Sequence, residues 1–196
     1  MNIDIAELIN REESPKLDFK QEWYKESDLK TELLKDVIAL TNGNIHTIGE
    51  PSYLLIGVKE NSNGNELHHV ELDKSLDVIK KQLIQNLQNI ATPSIQDVEM
   101  RFFEVDSKNI LLITIPFHPY LVILKEKLRQ FPKDTLLYRA GEGTVSADYA
   151  TRKAFEKVLE DYTQSQDKQS VSITIHGDVK GVVNAEKGSV IHQTIS

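Results

Sequence analysis

A chain of 196 residues, 39% hydrophobic and 27% charged, has the size and make-up of one globular domain with a small appendage. Without cysteine it forms neither disulfides nor thiolate metal sites, and it suits a reducing, cytoplasmic setting. A net charge of −7 argues against a protein coated in nucleic acid, although a local basic groove is compatible with that sum.

Residues 1–10 carry acids where a signal peptide has bases and an apolar run, so no signal peptide is expected. No apolar run nears the roughly 18 residues of a membrane span. Ile3 to Ile9 has helical spacing, and Pro15 bars a helix just beyond. Lys16 to Lys20 alternates, which predicts a half-buried strand with Lys16, Asp18 and Lys20 on its polar face and Leu17 and Phe19 inside. Leu29 to Leu40 recurs at helical spacing after Ser27 or Asp28 as a cap, and Asn42-Gly43 ends it.

Tyr53 to Val58 reads as a buried strand. The turn N-S-N-G-N (61–65) suggests a hairpin between Leu54–Lys59 and Glu66–Val70. Asp73 opens a helix with Leu76, Ile79, Leu83, Leu87 and Ile90 on one face. Val98 to Val105 and Ile110 to Phe117 form a second hairpin; Leu121 to Leu124 fits either a strand or a helical turn. Thr135 to Ala140 is a strand entering G-E-G-T, and Ser146 to Tyr162 is the last long helix. The polar stretch Thr163 to Ser170 reads as a linker, with 166–170 dividing a main domain (1–165) from a β-rich tail (171–196). The tail fits a hairpin folded back on the domain or a homo-oligomer built through open strand edges.

Three constellations suit chemistry. Glu13, Asp18 and Lys20 place two hard carboxylates and a cation together, the set needed to hold Mg²⁺ or Mn²⁺ against a phosphate. The plainer reading is a solvated strand face with an Asp–Lys pair. Lys59-Glu60 follows the buried strand, where Glu60 could complete the carboxylate set; the plainer reading is a hairpin end. Arg139 before Gly141-Glu142-Gly143-Thr144 could cradle a phosphate, or be an ordinary loop. There is no P-loop, and the six histidines show no metal-ligand spacing. Trp23 and Tyr24 suit base stacking or plain packing.

Five pieces in order, E-S-P-K-L-D-F-K, L-L-K-D-V-I-A-L-T-N-G, Y-L-L-I-G-V-K-E, I-L-L-I-T-I-P-F and L-L-Y-R-A-G-E-G-T-V-S-A, resemble the Schlafen AlbA domain over about residues 12–150. The resemblance implies an α/β (α+β) domain, a mixed β-sheet with flanking helices, followed here by a short β tail. It implies a groove that binds nucleic acid, DNA or RNA. Some members are divalent-metal endoribonucleases acting on tRNA or rRNA, in some cases in phage defence. Their acids fall on Glu13, Asp18 and Lys59 or Glu60, so Glu13, Asp18 and Glu60 are the implied metal ligands and, with Lys20, the implied catalytic set. Lys20, Lys59, Arg139, Gly141 and Thr144 are the implied nucleic-acid contacts. Two departures stand out: Asp18 replaces a glutamate, and Lys59 occupies the third acid's place. Three functions stay open: a nucleic-acid-binding domain, an endoribonuclease, and an oligomeric interaction module with a degenerate site.

Overall fold

The computed structural model of the chain describes residues 4–168, 172–176 and 190–194. In chain order the elements are α1 (Ile5–Ile9), β1 (Leu17–Lys20), α2 (Glu32–Asn42), β2 (Ser52–Ile56), β3 (Val58–Lys59), β4 (Glu66–Leu67) and α3 (Leu76–Ile90). Then follow β5 (Ala91–Thr92), β6 (Glu99–Val105), β7 (Lys108–Ile115), β8 (Ile123–Leu124), β9 (Leu137–Ala140), β10 (Gly143–Ser146), α4 (Tyr149–Lys168), β11 (Ser172–His176) and β12 (Val190–Thr194).

The centre is a four-stranded mixed sheet in the order β1-β2-β7-β6. β1 and β2 are parallel and joined through α2, as parallel neighbours require a crossover. β2–β7 and β7–β6 are antiparallel. Alternation along β2 and β7 splits the core into two layers. Leu54, Ile56, Leu111, Ile113 and Ile115 meet Leu33, Val37, Ile38 and Leu40 of α2 and Leu83 and Leu87 of α3. Leu55, Ile110 and Leu112 face the other way, onto Leu8 and Ile9 of α1 together with Leu17 and Phe19. The mixed α+β class expected from the sequence is the class observed.

Several local expectations change. Lys16 and Asp18 are not on a solvated face; they are 5% and 2% exposed. Both faces of β1 are covered, because Asp18 is registered with Leu54 on the α2 side of the sheet. Alternation shows two faces but not whether polar groups await the polar one. Helix α2 starts at Glu32 rather than Leu29, with Thr31 as its N-cap. The Tyr53–Val58 strand is broken at Gly57, whose φ of 96° is left-handed. A β-carbon there would meet the His68 carbonyl oxygen at 2.5 Å. The hairpin beyond is therefore short, Val58–Lys59 against Glu66–Leu67. Ile123–Leu124 is a strand, paired with Ala91–Thr92.

The polar stretch after Tyr162 continues helix α4 to Lys168 instead of starting a linker. The Thr163 hydroxyl donates to the Leu159 carbonyl at 3.0 Å and that of Ser165 to Tyr162 at 2.6 Å, so side chains that often break helices are satisfied within this one. The start of α4 is Tyr149, after the Asp148 carboxylate has accepted the Thr151 N–H at 2.7 Å. In the tail, β11 and β12 pair in parallel, which a simple hairpin does not do. The rest of the 171–196 tail lies outside the described residues.

Candidate functional site

The first carboxylate is Glu13. It stands just ahead of β1, and its carboxylate accepts the Phe19 N–H at 2.6 Å. That bond folds the side chain back over the strand. Burial pushes its pKa up, and the nearby Asp18 charge adds to the rise; the Phe19 amide, Lys20 and Arg139 act the other way.

Glu60 is the second. β3 ends at Lys59, so Glu60 is free of the strand's alternation. Lys59 is exposed and registered with Glu66, whereas the Glu60 carboxylate turns to accept the Glu13 N–H at 3.2 Å.

The third member is one the sequence reading did not select. Glu142 sits in the β9–β10 turn, between Gly141 (φ 62°) and Gly143. Glu13, Glu60 and Glu142 each offer an oxygen, and these atoms all lie within 4.8 Å of one another. The signal for Glu142 was its place at the tip of G-E-G-T, a loop singled out for its glycines and arginine rather than for its acid. The cluster opens into a cleft of about 580 Å³ whose walls include Arg11, Glu12, Asn61 and Asn65.

Asp18 is brought near this group but is otherwise engaged. Its carboxylate accepts from the Arg139 guanidinium at 2.9 Å and pairs with the Lys20 ammonium. Arg139 is 2% exposed, and its backbone N–H donates to the Gly43 carbonyl at 2.8 Å. Its guanidinium therefore faces a buried carboxylate and not the solvent. Thr144 is the register partner of Arg139 across the hairpin. Among the described residues, Arg139 Nε and Thr144 Oγ1 are buried without a hydrogen-bond partner.

Lys20, its side chain 32% exposed, also lies 3.9 Å from Asp36 of α2. Asp36 is buried and accepts the Tyr24 hydroxyl at 2.7 Å. Burial first, and then Asp36, push the Tyr24 pKa well up, so that hydroxyl stays a donor. Trp23 meets Tyr24 edge to face and packs on the α2-side core. Asp36 was also missed, although a lone acid beside Leu33, Val37 and Leu40 on an apolar helix face was there to be seen.

Lys16 does a separate job. Its ammonium donates to the Leu40 and Thr41 carbonyls at 3.2 and 2.8 Å, closing the C-terminal end of α2 where cations are favoured. Burial lowers its pKa to about 8. His118 is buried, stacks on Tyr120, and is pushed toward the neutral form by desolvation.

Comparison with known proteins adds one strong match. A model of the family described as Schlafen, AlbA_2 matches residues 13–148, more than half of the chain. No curated protein matches. Among solved structures, the DIP2311 protein of Corynebacterium diphtheriae is 18% identical with a TM-score of 0.48, covering 73% of this chain and 24% of that one. The chain thus spans about a quarter of that protein's length. The N-terminal domain of a RecG-related protein of Nitrosomonas europaea is 21% identical with a TM-score of 0.38, covering 57% of this chain and 69% of that one. Likenesses at these scores carry no argument, and the assignment rests on the sequence match.

Proposed function

The chain belongs to the Schlafen, AlbA_2 family, and from that premise we propose that it binds nucleic acid at the carboxylate cleft, with Mg²⁺ or Mn²⁺ between Glu13, Glu60, Glu142 and a phosphate. The observation that carries this reading is the convergence of three carboxylate oxygens within 4.8 Å. Oxygens bound to one hard cation at about 2.0–2.6 Å lie within roughly 5 Å of each other, so the donor set and its spacing fit such an ion.

The charge balance argues the same way. Glu12, Glu13, Glu60 and Glu142 face a single arginine, Arg11, among the residues lining the cleft. A phosphate approaching this cleft alone meets repulsion. Held by Glu13, Glu60 and Glu142, a divalent ion would neutralise that charge and supply Lewis-acid polarisation of a phosphate. The protein's own part is orientation: the Phe19 amide aims Glu13, and the Glu13 amide aims Glu60. Arg11, which lines the cleft and pairs with Glu7, and exposed Lys59, the neighbour of Glu60 in the chain, are the cations for the flanking phosphates. Gly141 and Thr144 shape the hairpin that carries Glu142.

A second reading, a divalent-metal endoribonuclease acting on tRNA or rRNA, is favoured by the Lys20 ammonium, whose charge reaches Glu13. Its implied acids differ in availability, since Asp18 is committed to Arg139 and Lys20.

Binding of labelled RNA and DNA oligonucleotides and of tRNA, with Mn²⁺ and with chelator, tests both readings. The expected result is salt-sensitive binding that needs the ion and weakens by about tenfold or more in Glu142→Gln, as ligand charge count sets affinity for hard cations. Ion-dependent cleavage of tRNA that Glu13→Gln abolishes moves the assignment to the nuclease. Binding that is unchanged by chelator and by Glu142→Gln overturns the cleft as the site.

A further inference from the structure

A buried carboxylate is costly unless it is paired and hydrogen-bonded. Asp36 is 3% exposed, on a helix face that is otherwise apolar. Its partners account for it: the Tyr24 hydroxyl at 2.7 Å, the Lys35 ammonium at 3.1 Å and the Lys20 ammonium at 3.9 Å. Lys20 is also paired with Asp18, and Asp18 with Arg139. A continuous polar chain therefore crosses the domain, Tyr24–Asp36–Lys20–Asp18–Arg139, linking α2, β1 and β9.

Lys20 is its member closest to solvent. Asp18 takes this ammonium through one carboxylate oxygen and the arginine through the other. With Asp36 on the other side the ammonium is bracketed by two carboxylates anchored on different elements. We propose that Asp36, supported by Tyr24, is a positioning residue that holds the Lys20 ammonium beside Asp18 for a nucleic-acid phosphate. This rests on the nucleic-acid reading of the cleft for the identity of the ligand, and on geometry alone for the hold on Lys20.

Two measurements separate these parts. Competitive acetylation read by mass spectrometry gives the labelling rate of Lys20 relative to Lys133 without any ligand. Asp36→Asn raises the Lys20 rate by about fivefold, the scale of a partly exposed ion pair; Tyr24→Phe, which leaves every charge in place, raises it less. An unchanged Lys20 rate in both variants overturns the proposal, whether or not the protein binds nucleic acid.

The salt dependence of Mn²⁺-supported oligonucleotide binding is then read as a double-mutant cycle. Lys20→Met lowers the slope by about 1, the loss of one phosphate contact. Asp36→Asn lowers it too in the native background, and not further in the Lys20→Met background. Equal effects in both backgrounds show Asp36 acting independently of Lys20 and overturn the proposal. Should the native chain bind no oligonucleotide, the reading of the cleft fails, while the labelling result still decides the role of Asp36.

Discussion

A carboxylate that is to hold a cation must first lose its proton, and Glu13 loses it late. Burial raises its pKa from the ordinary carboxylate value, with the Asp18 charge as a further cause. Without an ion the ionised form is therefore a burden on the folded state, relieved as pH falls through the raised pKa. With an ion the sense reverses, since binding needs the ionised form and releases the proton. Mn²⁺ affinity measured by calorimetry is expected to fall by about tenfold per pH unit below that raised pKa. An affinity that holds level down to the ordinary carboxylate range would remove Glu13 from the ligand set. Glu13 and Glu60 were legible in the sequence because their spacing from the strands places them at one end of the sheet. The commitment of Asp18 was not, because its partner Arg139 lies 121 positions away. Lys16 and Lys20 were legible as a polar face, while the carbonyls and carboxylates that cover that face come from α2.

At the level of elements, the C-terminal end of α2 holds the site's hairpin in place. Buried Asn42 donates through Nδ2 to the Val122 and Leu137 carbonyls at 2.8 and 2.7 Å, and its Oδ1 accepts the Val122 N–H at 2.9 Å. It ties the helix to β9 and to the residues just before β8. Gly43 follows at φ 59°, and a β-carbon there would meet Lys16 Cε at 2.5 Å. Asn42→Ala leaves buried donors and acceptors unpaired, at about 1–3 kcal/mol for each group. Denaturant unfolding should show a loss of about 2–4 kcal/mol, and a loss below about 0.5 kcal/mol would mean that the hairpin is held by other contacts. The helix and its stop at Asn42-Gly43 were legible from spacing and from the glycine. The staple was not, because the turn-forming residue and the cross-domain hydrogen-bonding residue are the same asparagine. Strand β1 was legible from alternation and the 98–117 hairpin from its apolar runs and turn, whereas the mixed sheet was implied by the resemblance and β10 took residues read as a loop and a helix start; other ends shifted where Gly57 cut one strand short and where a polar stretch stayed helical.

For the molecule as a whole, the main domain and the tail raise different questions. A two-stranded pair is marginal alone, and parallel strands occur almost always with both faces covered. We propose that the parallel β11–β12 pair assembles copies of the chain. Removing residues 167–196 is expected to lower the mass found by light scattering, and an identical mass would end that role for the tail. Among the described residues no helix is long and apolar enough to cross a membrane.

The three clustered carboxylates come from positions 13, 60 and 142, so the set of three is complete only when the β9–β10 turn has docked beside the N-terminal strands. An unfolded chain has no such site, and an ion that binds only the closed form adds its binding free energy to the resistance of the domain to unfolding. At an ion concentration of about 100 times the dissociation constant that increment is roughly 2.7 kcal/mol. If the proposed ion binds there, the melting temperature of the domain rises with the concentration of divalent ion, because binding and folding are linked.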